Sequence, residues 1–369
     1  GLEERAHRGR RHLRVALRAA VTAGPVGFSF QALALPWIGA AFLLAGVVIA
    51  VVGTILTGLV DRLADRTRLG EAISGGLLLG ATTSLPDIVV SVSAAAGGHA
   101  ELAVSNALGG IAVQTVFLVI ADIAYRRANL EHAAASLTNM FSATLLIVLL
   151  AVSLLAATGP ALSLWAIHPA TPVLFLVYVL VQRMAAQHRD DPAWVPADTT
   201  DTVRDEPEAA NVRASLAGLW LRFAGAALAV AVAGYVVAQS GIALTQKTGL
   251  SGSVVGVMFT GFTTSCAELV IALAAVRRGA LTLAVGGVIG GNAFDALLIP
   301  LSDLAYREGS LYHAIPDQSL FLMAVTILMT AVLLLGLLRR QRRGPANIGF
   351  EGSLVLLLYA GMVVYLVLG

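Results

Sequence analysis

Residues 181 positions apart agree along a long stretch of this chain. Adding 181 to each residue number from Gly75 to Arg126 aligns 52 residues without a gap, and 18 are identical. Chance agreement in so Ala/Leu/Val/Gly-rich a sequence would give roughly 4 or 5. The identities include Gly80/Gly261, Gly98/Gly279, Gly109-Gly110/Gly290-Gly291, Asp122/Asp303 and Ala124-Tyr125-Arg126/Ala305-Tyr306-Arg307. Such a duplication restricts the fold to two copies of one unit packed against each other. Each copy carries an acid just after a Thr-Thr-Ser triplet: Thr82-Thr83-Ser84-Leu85-Pro86-Asp87 and Thr263-Thr264-Ser265-Cys266-Ala267-Glu268.

The surroundings of those acids decide the class of protein. The chain is 57% hydrophobic and 12% charged, against about 25% charged in an ordinary soluble domain. Apolar stretches long enough to cross a bilayer recur along most of it. The fold class expected is an all-α membrane protein. No alternation on a two-residue period argues for an outer-membrane barrel. A single cysteine, Cys266, excludes an intramolecular disulfide and a cysteine-rich metal site. The net charge of +2 selects no partner class, and nothing points to nucleic acid. Residues 1–35, with six arginines before Ala19, read as a basic amphipathic segment at the membrane surface.

Ten spans are expected, near 37–59, 73–96, 101–123, 136–157, 165–183, 216–239, 251–276, 281–304, 319–338 and 350–368. They divide into a first five-helix repeat, 36–183, and a second, 215–369. The acidic, proline-containing stretch 184–214 joins them as a polar linker. Five crossings per repeat is an odd number, so the second copy enters from the opposite side and the repeats are inverted. Arginine placement agrees. Loops after odd-numbered spans hold fifteen arginines, among them Arg62, Arg126, Arg277 and Arg339, while loops after even-numbered spans hold only Lys247 and Arg307. The positive-inside rule puts the first set, and the linker, in the cytoplasm.

A carboxylate near the centre of a bilayer costs about 2.5–3.5 kcal/mol or more, so Asp87 and Glu268 mark a function. Thr83 lies four residues before Asp87, on the same helix face. Pro86 lacks an N–H and clashes with the carbonyl four residues back, which predicts a kink or opening there. Span 7 repeats the pattern with Thr264 and Glu268, but Ala267 stands in the proline's place, so a straighter helix is expected. In spans 3 and 8, Gln114 and Asp295 each follow a glycine pair by four residues. Carboxylates, hydroxyls and freed carbonyls make a hard-oxygen site suited to Na⁺, Ca²⁺ or Mg²⁺ rather than zinc or copper. Glycine pairs read as close helix packing, Asp122 and Asp303 as interfacial ion pairs, and Cys266 as a small packing residue behind the site.

Gly80 to Asp87 and Gly261 to Glu268, with Gly109 to Gln114 and Gly290 to Asp295, resemble the two α-repeats of the calcium/cation antiporter superfamily, the sodium/calcium exchangers and their relatives. The resemblance implies an alternating-access exchanger whose ions bind between spans 2, 3, 7 and 8. It implies that Asp87 and Glu268 are the central acids, Thr83 and Thr264 the coordinating threonines, Ser84 and Ser265 the following serines, and Asp295 the second-repeat acid, with Gln114 in place of an Asn. Asp87 stands for the usual Glu. Gly110 and Gly291 stand where sodium-type exchangers carry serines, which leaves H⁺ beside Na⁺ as driver.

The expectation is a secondary cation antiporter of the plasma (inner) membrane that exchanges a divalent cation, Ca²⁺ foremost, for Na⁺ or H⁺. It needs no cofactor beyond the transported ions, and its partners are inorganic cations and the bilayer. A monovalent Na⁺/H⁺ antiporter on the same scaffold and a cation channel are the alternatives. No nucleotide-binding loop of the Gly-x-x-x-x-Gly-Lys type supports ATP drive.

Overall fold

A computed structural model describes residues 30–67, 80–125, 128–190, 215–342, 344 and 348–368. The basic segment up to residue 29, the beginning of the second expected span and linker residues 191–214 lie outside them. Among the described residues every regular element is helical. The helices are α1 (Leu35–Thr67), α2 (Leu85–Ala96), α3 (Ala100–Ala124), α4 (Leu137–Thr158) and α5 (Ala170–Asp190). After the linker come α6 (Leu216–Thr248), α7a (Gly252–Thr264), α7b (Cys266–Arg278), α8a (Leu281–Asp295), α8b (Leu298–Ala305), α9 (Asp317–Arg339) and α10 (Phe350–Leu368). Eight helices are long and apolar enough to cross a membrane, and the bent pair α7a–α7b makes a ninth. The protein is an integral membrane protein. Helix α5 continues to Asp190, past the boundary expected at 183.

The 181-residue offset runs beyond the stretch that revealed it. Helices α1 and α6 both have 33 residues, and both ends of α1 map onto those of α6. Leu85 maps onto Cys266, Ala100 onto Leu281 and Leu137 onto the second residue of α9. At 33 residues α1 and α6 are about 50 Å long, longer than a hydrocarbon core of about 30 Å. They pack against each other, and each also lies over an acid-bearing helix. There the contact is a glycine: a Cβ on Gly53 would sit 3.0 Å from Ala267 Cβ, and one on Gly234 would sit 3.1 Å from the Pro86 carbonyl. Gly53 and Gly234 are themselves 181 residues apart, as are Pro86 and Ala267.

Helix α3 is buried along most of its length, and α1 turns Leu43, Leu44, Val47, Val51 and Ile55 outward. In a bilayer that outward stripe faces lipid, where apolar side chains belong. The tightest approach in the core is α3 on α7a. A Cβ on Gly109 would lie 2.5 Å from Val257 Cα, one on Gly256 2.5 Å from Ser105 Cβ, and one on Gly261 2.8 Å from the Gly110 nitrogen. Only backbone fits there, which accounts for the first glycine pair. The second behaves differently: Gly290 has open space where its Cβ would be.

Candidate cation site

Both acid-bearing helices break at the serine of their triplet. Ser84 has φ −81° and ψ 6°, and Ser265 has φ −84° and ψ 0°. This bridge conformation is sparsely populated and recurs at functional sites. The axis bends by 45° between α7a and α7b, and residues Val255–Gly261 before it form a wider π-helical turn. The expectation of a straighter span 7 is therefore wrong. Ala267 keeps its N–H, but the break lies two residues earlier, and Ala267 falls within the first turn of α7b, where N–H groups have no intrahelical acceptor in any case. Proline is compatible with this break and is not its cause.

The breaks bring the acid-bearing turns onto α3 and α8a. Asp87 is buried; its Oδ1 accepts from the Thr264 hydroxyl at 2.6 Å and from Asn106 Nδ2 at 3.2 Å. Gln114 Nε2 donates to Asp295 Oδ2 at 2.9 Å and to Ser265 Oγ at 3.3 Å. The Ser84 hydroxyl lies against Asp295. A Cβ on Gly110 would touch Asp87 Oδ1 and Ser265 Oγ, each at 3.4 Å, so this glycine separates the two halves of the network by one atom's width. Glu268 is half-buried and close enough to Asp87 and Asp295 for their charges to act on one another. Thr83 is nearby in sequence, with its hydroxyl donating to the Gly80 carbonyl at 3.1 Å. Seven of the eight expected residues thus meet in one place, and Thr83 stands at its edge.

The decisive feature is what these groups leave unpaired. Asp87 Oδ2, Glu268 Oε2, Asp295 Oδ1, Gln114 Oε1 and Asn106 Oδ1 are all enclosed and accept no hydrogen bond. A buried acceptor left without a partner costs about 1–3 kcal/mol, and more when charged. Five such oxygens, three of them on carboxylates, make an acceptor-rich set of the kind that suits a cation. Among the described residues no three acids or histidines close around a common point. The donor set is therefore mixed, with amide and hydroxyl oxygens beside carboxylates, as hard-cation sites commonly are.

Asn106 escaped sequence reasoning. Its repeat counterpart is Gly287, so the duplication did not single it out. The available signal is the run Asn106, Gly110, Gln114, at i, i+4 and i+8 on one face of α3. Ser91, four residues beyond Asp87, belongs to the same layer: it accepts from Asn106 Nδ2 at 3.1 Å and donates to the Ala103 carbonyl. Of the ion pairs expected at Asp122 and Asp303, the arginine beside Asp122, Arg126, lies outside the described residues, and among the described residues neutral donors hold both acids. Asp303 accepts from the His168 and Leu311 backbone N–H groups and the Thr171 hydroxyl, and Asp122 accepts from the Leu130 N–H. Cys266 is only half-buried, with its thiol donating to the Phe262 carbonyl at 3.3 Å.

Comparison with known proteins agrees with this geometry. The family model described as sodium/calcium exchanger protein matches residues 37–184 and 218–368. The CaxA protein of Alkalimonas amylolytica is 27% identical over 303 residues, 82% of this chain and 89% of that one. The inner membrane protein YrbG of Escherichia coli K12 is 26% identical over 227 residues, 62% of this chain and 67% of its own length. Among solved structures, the H⁺/Ca²⁺ exchanger CAX superposes with a TM-score of 0.66 at 12% identity, covering 97% of this chain and 93% of that one. The sodium-calcium exchanger NCX_Mj superposes at 0.57 and 18% identity, covering 90% of this chain and 99% of that one. At these identities the superpositions speak to fold, while the family match spans both halves of the sequence, and with them every residue of the site. The chain belongs to the sodium/calcium exchanger protein family, within the calcium/cation antiporter superfamily, a family of transporters and not of enzymes.

Proposed function

We propose that the protein is a secondary antiporter that exchanges Ca²⁺ for Na⁺ or H⁺ by alternating access, with the cation held among Thr83, Ser84, Asp87, Asn106, Gln114, Thr264, Ser265, Glu268 and Asp295. The observation that carries this reading is the set of five enclosed, unpaired oxygens on Asp87, Asn106, Gln114, Glu268 and Asp295. Three carboxylates favour a divalent over a monovalent occupant, because a doubly charged ion offsets more of their mutual repulsion. Relatives support the class: NCX_Mj is a sodium-calcium exchanger, CAX an H⁺/Ca²⁺ exchanger, and CaxA is named as an antiporter.

The architecture proposed is ten spans in two inverted five-helix repeats, with residues 184–214 cytoplasmic and the protein in the inner membrane, where YrbG resides. Support for a two-fold relation comes from equivalent residues in mutual contact. Gln114 bonds Asp295, and Asn292 Nδ2 donates to the Ile111 carbonyl at 3.4 Å. Both pairs are 181 apart, and a residue meets its own equivalent only beside a two-fold axis. Alternating access then amounts to α1 and α6 moving together over the site on their glycine contacts.

The test is isotopic Ca²⁺ flux in proteoliposomes under an imposed Na⁺ or H⁺ gradient, applied one at a time. Counter-ion-dependent Ca²⁺ movement is expected with one of the two. Absence of Ca²⁺ movement under both, with Na⁺/H⁺ exchange intact, would replace this reading with the monovalent one.

A further inference from the structure

Beyond Ala124 the repeat offset continues and exposes a difference between the halves. Asp122 corresponds to Asp303, Leu130 to Leu311 and His132 to His313. The backbone contact is repeated with it: Leu130 N–H donates to Asp122 Oδ1 at 2.6 Å, and Leu311 N–H to Asp303 Oδ1 at 2.9 Å. The second oxygens diverge. Asp303 Oδ2 receives the His168 N–H at 2.8 Å and the Thr171 hydroxyl at 2.6 Å, with the Tyr312 hydroxyl behind Thr171. Each of these hydrogen-bond donors to Asp303 is neutral.

Asp122 also receives the Gly349 backbone N–H, but the side chains beside it are acids. Glu131 replaces Tyr312, and Glu351 comes from the start of α10. All three carboxylates are 1% exposed. Glu131 Oε2 and both oxygens of Glu351 have no hydrogen-bond donor, and the two glutamates lie within reach of each other, carboxyl to carboxyl. Glu351 is packed tightly, since a Cβ on Gly336 of α9 would sit 2.5 Å from its Cγ. Among the described residues, the Arg339 and Arg340 side chains have contacts of their own, while Arg126, Arg127 and Arg343 lie outside the described residues. Arg339 lies over the Phe350 ring at 4.8 Å, and Arg340 Nη2 donates to the His132 carbonyl. Arg342 accepts the Asn129 N–H on its carbonyl, and His132 Nδ1 meets the Arg340 carbonyl. Tyr125, at the end of α3, is a further titratable group there. The charges that act on Glu131 are those of Asp122 and Glu351.

Three buried carboxylates facing one another cannot all be ionised. Protonation relieves that repulsion without any further ligand. We propose that Asp122, Glu131 and Glu351 form a second proton-binding site, apart from the cation site, in which a shared proton ties the start of α10 to the end of α3. The acceptor-only geometry requires the proton, and the carboxyl-to-carboxyl approach of Glu131 and Glu351 gives it a place. Burial first, and then the charges of Asp122 and Glu351, push Glu131 well above the ordinary carboxylate range. The site lies on the arginine-rich face. Loss of the proton there puts like charges in contact, loosens α10 from α3 and slows transport.

The sign follows from linkage. Glu131 holds its proton more tightly folded than unfolded, so its contribution to stability is complete below its ordinary value of 4.5. That contribution is lost as pH rises from there through the raised value. The experiment is thermal unfolding of the purified full chain against pH, for wild type, Glu131→Gln, Glu351→Gln and Glu131→Tyr, the last copying Tyr312. In parallel, Ca²⁺ flux is measured with pH varied on one face at a time. The expected result is a wild-type melting midpoint that falls with rising pH. The fall should shrink and end at lower pH, or vanish, in the glutamine variants. Flux should show an alkaline decline only when the arginine-rich face is made alkaline, and the variants should relieve it. Variant melting curves that track wild type across the pH range overturn the proposal, as does an alkaline decline set from the other face. The proposal rests on the exchange reading only for the flux measurement. A wild-type chain that moves no Ca²⁺ would sink that reading and leave the melting curves to decide this one.

Discussion

Asp87 is met by the Thr264 hydroxyl and the Asn106 amide, and Glu268 lies in the fields of Asp87 and Asp295. Asp87→Asn and Glu268→Gln should therefore each abolish Ca²⁺ flux while the protein still elutes as a single folded species. Wild-type flux in either correctly inserted variant would remove these residues from the site. Asn106 holds Asp87 Oδ1 from the opposite side to Thr264. A hydrogen bond to a charged group contributes about 1.5–3 kcal/mol. Asn106→Leu should accordingly raise the Ca²⁺ concentration for half-maximal flux by about ten- to a hundredfold, with expression unchanged. At this scale the sequence was highly legible where the duplication wrote the same residue twice. A carboxylate after Thr-Thr-Ser in apolar sequence is costly unless something binds it, and seven of eight expected residues converge. Asn106 was illegible for the same reason: its counterpart is a glycine, and repetition does not mark a residue that is used once.

The helix breaks show where local chemistry misleads. Proline at 86 predicted an opening in the first acid-bearing helix, and alanine at 267 predicted a straight second one. The structure breaks both at serine. What the second break depends on is tertiary: α7a presses its Gly256 and Gly261 backbone onto α3, and Gly53 of α1 bears on Ala267. No single-residue propensity encodes such a constraint, although the glycines themselves were visible. If the break precedes and does not need the proline, then Ala267→Pro should be tolerated, with flux within about twofold of wild type, because proline suits the first turn of a helix. A collapse of expression would show that the Ala267 N–H has an essential acceptor. The bend also changes the expectation for Cys266. Its half-exposed thiol beside the Ser265 break should react with a membrane-impermeant reagent, and Ca²⁺ should slow that reaction. Labelling that is negligible with or without Ca²⁺ would place the thiol out of the ion pathway.

For the molecule as a whole, the proposed cation site lies where α2, α3, α7 and α8 meet, so a bound cation would tie these helices together. Ligand that binds only the folded state adds about 2.7 kcal/mol at a hundred times its Kd. Ca²⁺ should raise the melting midpoint of wild type by a few degrees and leave Asp87→Asn unmoved; an equal rise in both would assign the effect to ions elsewhere. The offset carried the plan of paired helices, down to the matching ends of α1 and α6 and the glycines Gly53 and Gly234 with which these lie over the acid-bearing helices. One contact also bears on how such a chain could arise. Gln114 and Asp295 are the same position in the two halves, and they touch. Were the halves separate, identical molecules, that position would meet a copy of itself. Aspartate would face aspartate without a donor, and glutamine would face glutamine without a charge. An amide that donates to a carboxylate at this point is open only to a chain whose halves are encoded separately. Joining the two genes thus did more than tether the halves: it freed the axis from having to be its own complement.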